Sequence, residues 1–267
     1  MSRLAETLSD LGDQGRKALV TFITAGDPDP SATVPALHAL VAGGADVLEL
    51  GVPFSDPEAE GPVIQASSER ALANGTTLLA VLDMVARFRA EDDRTPIVLM
   101  GYLNSVLAMG IESFAEAAGK AGVDGLIMVN LPPEEAAELR GLLLQEDIDL
   151  VFLVAPTTTR ERAALIAEQA GGFVYYVSLK GITGADHLEA GSVTEQVAAL
   201  KAITDLPVLV GFGIKDGATA RVVAETADGV VVGSALVRTM AGGAGAIESI
   251  PERLTSQLAE IRRALDA

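Results

Sequence analysis

The chain has 267 residues, 19 Lys and Arg against 37 Asp and Glu, and a formal charge of −18. That balance excludes a polyanionic partner such as nucleic acid, whose phosphates are held by clustered cations. With no cysteine and only His38 and His187, disulfides and thiolate metal sites are excluded and a histidine-rich metal centre is not expected. The length lies near the ~250 residues of a single α/β barrel. No apolar run approaches the ~18 residues of a membrane span, and the acid-bearing N-terminus does not resemble a secretory signal. A soluble cytoplasmic protein is the expectation.

In chain order, residues 3–12 read as a short amphipathic helix with Leu4, Leu8 and Leu11 at helical spacing, covering one end of the core. Residues 18–24 form a first strand, ended by Ala25, Gly26, Asp27 and Pro28. Ser31 or Thr33 then offers a cap for a helix through Leu40, which places Pro35 near its start, because an interior proline costs about 3 kcal/mol. Further strands read at 46–50, 96–101, 124–129, 149–154, 173–178, 207–211 and 229–232, each followed by helical sequence, so there are eight in all. Several units open with one phrase: AGGADVLEL, AGVDGLIM, AGGFVYYV and ADGVVVG. Its content is a helix closed by glycine and then a strand buried on both faces. Eight such units predict a single (β/α)8 TIM barrel over 1–267, with residues 1–14 as an extra N-terminal helix. A doubly wound sheet is the alternative, but the glycine fingerprint expected after its first strand is missing.

The stretch VLELGVPFSDPEAEGP, 47–62, carries the candidate chemistry. Glu49 alternates with Leu48 and Leu50, so it faces away from them. The run then breaks into a turn-rich loop bearing Asp56, Glu58 and Glu60. Two readings stand side by side: an acid mounted on a strand end for proton transfer, or a salt-bridged core acid beside a solvated loop. In a barrel the active site lies at the carboxyl ends of the strands. Three late loops there are glycine-rich, GITGA at 181–185, GFGI at 211–214 and GSA at 233–235. Close-approaching backbone N–H groups and a helix beginning near Ser234 make that rim a candidate phosphate site.

The segments FITAGDPDP, LELGVPFSDP, QASSERAL, VLMGYLN, GVDGLI, FLVAPTTT, YYVSLKGITGA, VGFGI and VVVGSAL, in that order over nearly the whole chain, resemble the alpha subunit family of tryptophan synthase. The resemblance implies cleavage of indole-3-glycerol phosphate to indole and glyceraldehyde 3-phosphate. It also implies a beta subunit partner in an alpha2beta2 assembly, with pyridoxal phosphate only in that partner and no cofactor in this chain. By the same resemblance Glu49 protonates the indole C3, Glu60 accepts the indole N–H, Tyr175 lines the substrate and Phe22 packs on the indole. Thr183 and Gly184, in an active-site loop at 179–191, would join Gly211, Phe212, Gly213, Gly233 and Ser234 around substrate and phosphate. The other active-site loop, 52–61, holds Pro53, Phe54, Asp56 and Glu58; with Asn104 and Asn130 these face the partner or shape the loop, and for the apolar Pro53 and Phe54 two readings stand, exposed to meet a partner or packed under the loop.

Four departures from the family pattern stand out. PFSDPLADGP is here PFSDPEAEGP, so Glu58 replaces an apolar residue and Glu60 an aspartate. Asn130 stands for the aspartate of DLP and Ser105 for a proline. A longer acid at 60 displaces a charge by a methylene, and about 1 Å of misplacement can cost roughly a hundredfold in rate. These changes leave open a second reading, a weakly active barrel that binds phosphate ligands and regulates the beta subunit. A Schiff-base aldolase using Lys180 and a sugar-phosphate isomerase are the further rivals. The latter would need an acid where Ala155 and Pro156 stand.

Overall fold

Alternation along short β-branched runs decides the architecture. In the computed structural model, which describes residues 2–177, 190–211 and 213–267, eight parallel strands close into a ring in sequence order, the last pairing with the first. They are β1 (Ala18–Thr24), β2 (Val47–Gly51), β3 (Ile97–Gly101), β4 (Gly125–Met128), β5 (Asp149–Val154), β6 (Val174–Val177), β7 (Val208–Gly211) and β8 (Gly229–Val232). Val20, Val47, Val98, Ile127, Val151, Leu209 and Val231 point inward and fill the barrel. Their neighbours Leu19, Leu48, Ile97, Leu126, Leu150, Val208 and Val230 point outward to the helices. Both faces are buried, which is why the strands read as nearly continuous apolar runs.

The helices are α1 (Arg3–Asp13), α2 (Pro30–Ala42), α3 (Pro62–Ala73), α4 (Leu78–Arg89), α5 (Leu103–Met109), α6 (Ile111–Ala121), α7 (Ala137–Gln145), α8 (Arg160–Gln169), α9 (Ala190–Lys201), α10 (Gly217–Ala224), α11 (Ser234–Ala241) and α12 (Ile250–Leu265). As expected, α1 is a plug: Leu4, Leu8 and Leu11 join the inward cluster. Ser2 caps it, accepting from Ala5 N at 3.1 Å, and donates to Asp149, while Arg3 pairs with Asp124. Among the described residues no single helix is long and apolar enough to cross a membrane.

The repeated phrase has two working parts. Its glycines take positive φ where a helix must end, +101° at Gly44 and +88° at Gly122, which a side chain would strain. Its aspartate has a role that the sequence reading passed over. Asp46, Asp124 and Asp228 each stand one residue before an even-numbered strand. Each accepts a backbone N–H from the first or second residue of the preceding strand: Leu19 at 2.8 Å, Ile97 at 2.7 Å and Val208 at 2.9 Å. Each also meets a cation, Arg262 at 3.0 Å, Arg89 at 2.5 Å and Lys201 at 2.6 Å respectively. The phrase is therefore a strand-pair clamp as well as a helix stop.

One local expectation is corrected. The cap of α2 is Asp29, which accepts from Ser31 N, with Pro30 at the first helical position. Thr33 instead turns its hydroxyl to Gly26 N at 2.9 Å. Pro35 consequently lies inside the helix, on its exposed side, where water can serve the carbonyl it leaves unbonded.

Candidate active site

The inward-facing alternation that packs the barrel also delivers side chains to its open end. Two residues beyond Val47, Glu49 occupies the inner face of β2, in register with Phe22 of β1 and Val98 of β3. It is 1% exposed, and neither carboxyl oxygen has a hydrogen-bond partner among the described residues. The salt-bridged reading therefore fails there. Burial pushes the Glu49 carboxyl up to about 8, with the nearby Glu60 charge adding to the rise. Such an acid keeps its proton at neutral pH.

Tyr175 comes to the same interior from β6, 7% exposed. Its phenol is raised well above the usual range by burial and then by the charges of Glu49 and Glu60. Two glycines exist for the rings around this acid. A Cβ on Gly211 would lie 2.4 Å from the Tyr175 hydroxyl, and one on Gly51 would lie 2.6 Å from Phe22 Cζ. Gly211 thus has a packing reason of its own, apart from any phosphate.

The loop at 52–61 folds over this interior. Pro53 is buried and Phe54 half-buried, its ring stacked on Tyr102 at 4.9 Å between centroids. Of the two readings for these residues, exposure toward a partner is corrected and packing under the loop holds, because a proline and a phenyl ring beside the barrel mouth find more apolar surface below than above. Asp56 and Glu58 are exposed, as a solvated loop requires. Glu60 lines the cavity between loop and barrel, and burial raises its carboxyl to about 7. That cavity is open to solvent on one side and is bounded by Phe22, Gly51, Phe54, Glu60, Met100 and Tyr102 among others.

Tyr102, one residue past β3, is the member of this site that the sequence reading missed. Its hydroxyl accepts Ala59 N at 3.1 Å. A tyrosine immediately after a strand's carboxyl end was the available signal. Beside it Asn130 accepts Leu103 N at 2.8 Å and donates to Asn104 at 3.1 Å, linking the loops after β3 and β4. An aspartate could accept the first bond but could not donate the second. On the other flank Arg70 of α3 grips Asp27 with two bonds, at 2.6 and 3.0 Å, fixing the loop after β1.

At the opposite rim Gly213 takes a φ of +80°, and Gly233 caps α11 with no side-chain cap among the described residues, so the helix opens on bare N–H groups beginning at Ser234. A Cβ on Gly233 would lie 3.4 Å from that of Phe22, so this rim adjoins the same interior. Thr183, Gly184, Phe212, Lys180 and most of the 179–191 loop lie outside the described residues. No group of three or more potential metal ligands occurs among the described residues.

Known proteins match this arrangement along its full length. A family profile described as tryptophan synthase alpha chain matches residues 8–266. The tryptophan synthase alpha chain of Laribacter hongkongensis is 58% identical over 268 residues, covering all of both chains. That of Burkholderia mallei is 54% identical over 270 residues, covering 100% of this chain and 97% of the other. A crystal structure of tryptophan synthase subunit alpha from Legionella pneumophila superposes with a TM-score of 0.93 at 44% identity, covering 100% and 99% of the two chains. The barrel, its order of strands and its matching sequence over nearly every residue place the chain in the tryptophan synthase alpha chain family, with a role in tryptophan biosynthesis.

Proposed function

We propose that the chain is a lyase that splits indole-3-glycerol phosphate into indole and glyceraldehyde 3-phosphate. The observation that carries this is Glu49: a fully buried acid, without a hydrogen-bond partner among the described residues, still protonated at neutral pH and set beside Phe22, Tyr175 and Glu60. A retro-aldol cleavage needs such a group. Glu49 gives its proton to the indole C3. The bond from C3 to the glycerol chain then breaks, its electron pair returning to the ring. The adjacent chain hydroxyl loses its proton as it becomes the aldehyde, and the Glu49 carboxylate left by the first transfer can receive it. Glu60 accepts the indole N–H and stabilises the positive charge that C3 protonation places on the ring. Phe22 and Tyr175 hold the ring, while Gly213, Gly233 and the open N-terminus of α11, with Thr183, Gly184, Gly211, Phe212 and Ser234, receive the phosphate.

In this reading the whole chain, 1–267, works as one domain in the cytoplasm with no cofactor of its own. A beta subunit carrying pyridoxal phosphate is its partner in an alpha2beta2 assembly, meeting the loop that bears Asp56 and Glu58 and the side of Asn104 and Asn130. The test is indole release from indole-3-glycerol phosphate by the purified chain, with Glu49→Gln alongside and with a beta subunit added in a second series. Release that depends on Glu49 supports the lyase. Loss of release in both series, with substrate still bound, rejects it.

A further inference from the structure

We propose that Tyr102 is a positioning residue that sets Glu60 in the cavity through the backbone N–H of Ala59; this rests on the lyase reading of the site. The loop that carries Glu60 holds itself with two turn bonds, Glu58 N to Asp56 O at 2.9 Å and Glu60 N to Pro57 O at 3.0 Å. Such bonds shape the loop but do not tie it to the barrel. Two side chains do. Tyr102 accepts the N–H of Ala59, immediately before Glu60, and Gln65 of α3 donates to the carbonyl of Glu60 itself at 2.9 Å. The backbone of Glu60 is thus bracketed on both sides, by one strut from the end of β3 and one from the first turn of α3.

The strut from β3 is a packed ring that carries its hydroxyl to a fixed place. Tyr102 is 7% exposed. One face of its ring meets Phe54, a residue of the same loop, and Val52, Leu99, Val106, Phe114 and Met128 gather beside it. A ring held by such contacts does not wander. The hydrogen bond to Ala59 N passes that fixed position on to the loop. Its effect reaches Glu49, since the titratable groups that face Glu49 among the described residues are Glu60 and Tyr175, and the Glu60 charge is one of the two causes of the raised Glu49 carboxyl. Here, where Glu60 carries a longer arm than the aspartate of the family pattern, anchoring its backbone matters more, because an extra rotatable bond otherwise spreads the charge over more positions.

Tyr102→Phe keeps the stack and the cavity wall and removes only the link. In a cycle with Glu60→Gln, indole release should fall about tenfold for Tyr102→Phe in the parent chain and less than twofold in the Glu60→Gln background. Its effect should lie in kcat rather than KM. Titration of 13C-labelled glutamate by NMR should show the Glu49 pKa lowered by Tyr102→Phe, in the direction that Glu60→Gln moves it, with the circular dichroism spectrum unchanged. Equal losses in both backgrounds, or an unmoved Glu49 titration, would overturn the proposal. If the parent chain releases no indole, the lyase reading fails on its own, and the Glu49 titration alone decides the role of Tyr102.

Discussion

At the amino end of the barrel Asp46, Asp124 and Asp228 each accept a backbone N–H and meet a cation; at the carboxyl end Glu49 sits deeper than any of them and has no such partner among the described residues. Burial raises the carboxyls of Asp46 and Asp124 as it raises Glu49, but at the closed end N–H donors and guanidinium groups pull them back. At the open end the second influence on Glu49 is another acid, which pushes the same way. One ring of strands thus holds carboxylates for two purposes. Where partners are supplied the acid fastens strands; where they are withheld it keeps its proton at neutral pH.

The largest effect expected from breaking this contrast is at the open end. Glu49→Gln should lower the rate of indole release about a thousandfold, some 4 kcal/mol of barrier, in steady-state assay, with the fold intact by circular dichroism. At the closed end the loss falls on stability instead. Asp124→Ala leaves Arg89, whose side chain is 10% exposed, with backbone carbonyls but no carboxylate, takes the partner from Arg3 and removes the acceptor of Ile97 N, so denaturant unfolding should show a loss of about 3 kcal/mol. An unchanged midpoint would show that the clamp is ornamental.

A third prediction sharpens the contrast through pH. A carboxyl raised on folding from 4.5 to about 8 keeps its proton in the folded chain while the unfolded chain releases it, so stability falls as pH climbs between those values and levels off above. Glu60, raised to about 7, acts with the same sign. Between pH 5 and pH 8 Glu49→Gln should therefore gain on the parent chain by on the order of 3 kcal/mol, read from unfolding curves at both pH values. Parallel pH dependence of the two proteins would mean that Glu49 is not held protonated. The smallest effect belongs to Asn130→Asp, which keeps the Leu103 bond and loses that to Asn104. Stability should change by no more than about 1 kcal/mol, because both side chains are near solvent.

The strands were the most legible part of the sequence. Runs such as VLEL and GLIM, stopped by glycine and proline, bound all eight to within a residue or two. Glu49 was legible too, because an acid flanked by leucines contradicts its own strand. What escaped depended on distant partners. Asp29 was passed over as a cap because it shares the turn sequence DPDP, where several residues could start a helix. Pro53 and Phe54 lie in a loop where exposure and packing beneath it read equally well, and nothing local decides it, because the ring that Phe54 stacks on is Tyr102, just past the next strand. Asp46 and Asp124 went unremarked as the first residues of expected strands, for their N–H partners lie 27 residues back. Tyr102 escaped for the same reason, its partner being 43 residues away.

The clamps also divide the ring unequally. β1 with β2, β3 with β4 and β7 with β8 are each stitched by an aspartate, but the pair β5 and β6 is not: the matching place before β6 holds Phe173, and Asp149 is turned to Ser2 of α1. That pair is joined at its base by one backbone bond, Gly171 N to Leu150 O at 2.8 Å. The barrel is accordingly three riveted staves and one loose one. In native-state amide exchange the N–H groups of β5 and β6 are expected to exchange ahead of the other six strands, and uniform protection around the ring would show that the aspartates add no rigidity. The loose stave is the one that carries Tyr175, so the charge around Glu49 is set partly from the least-fastened side of the ring.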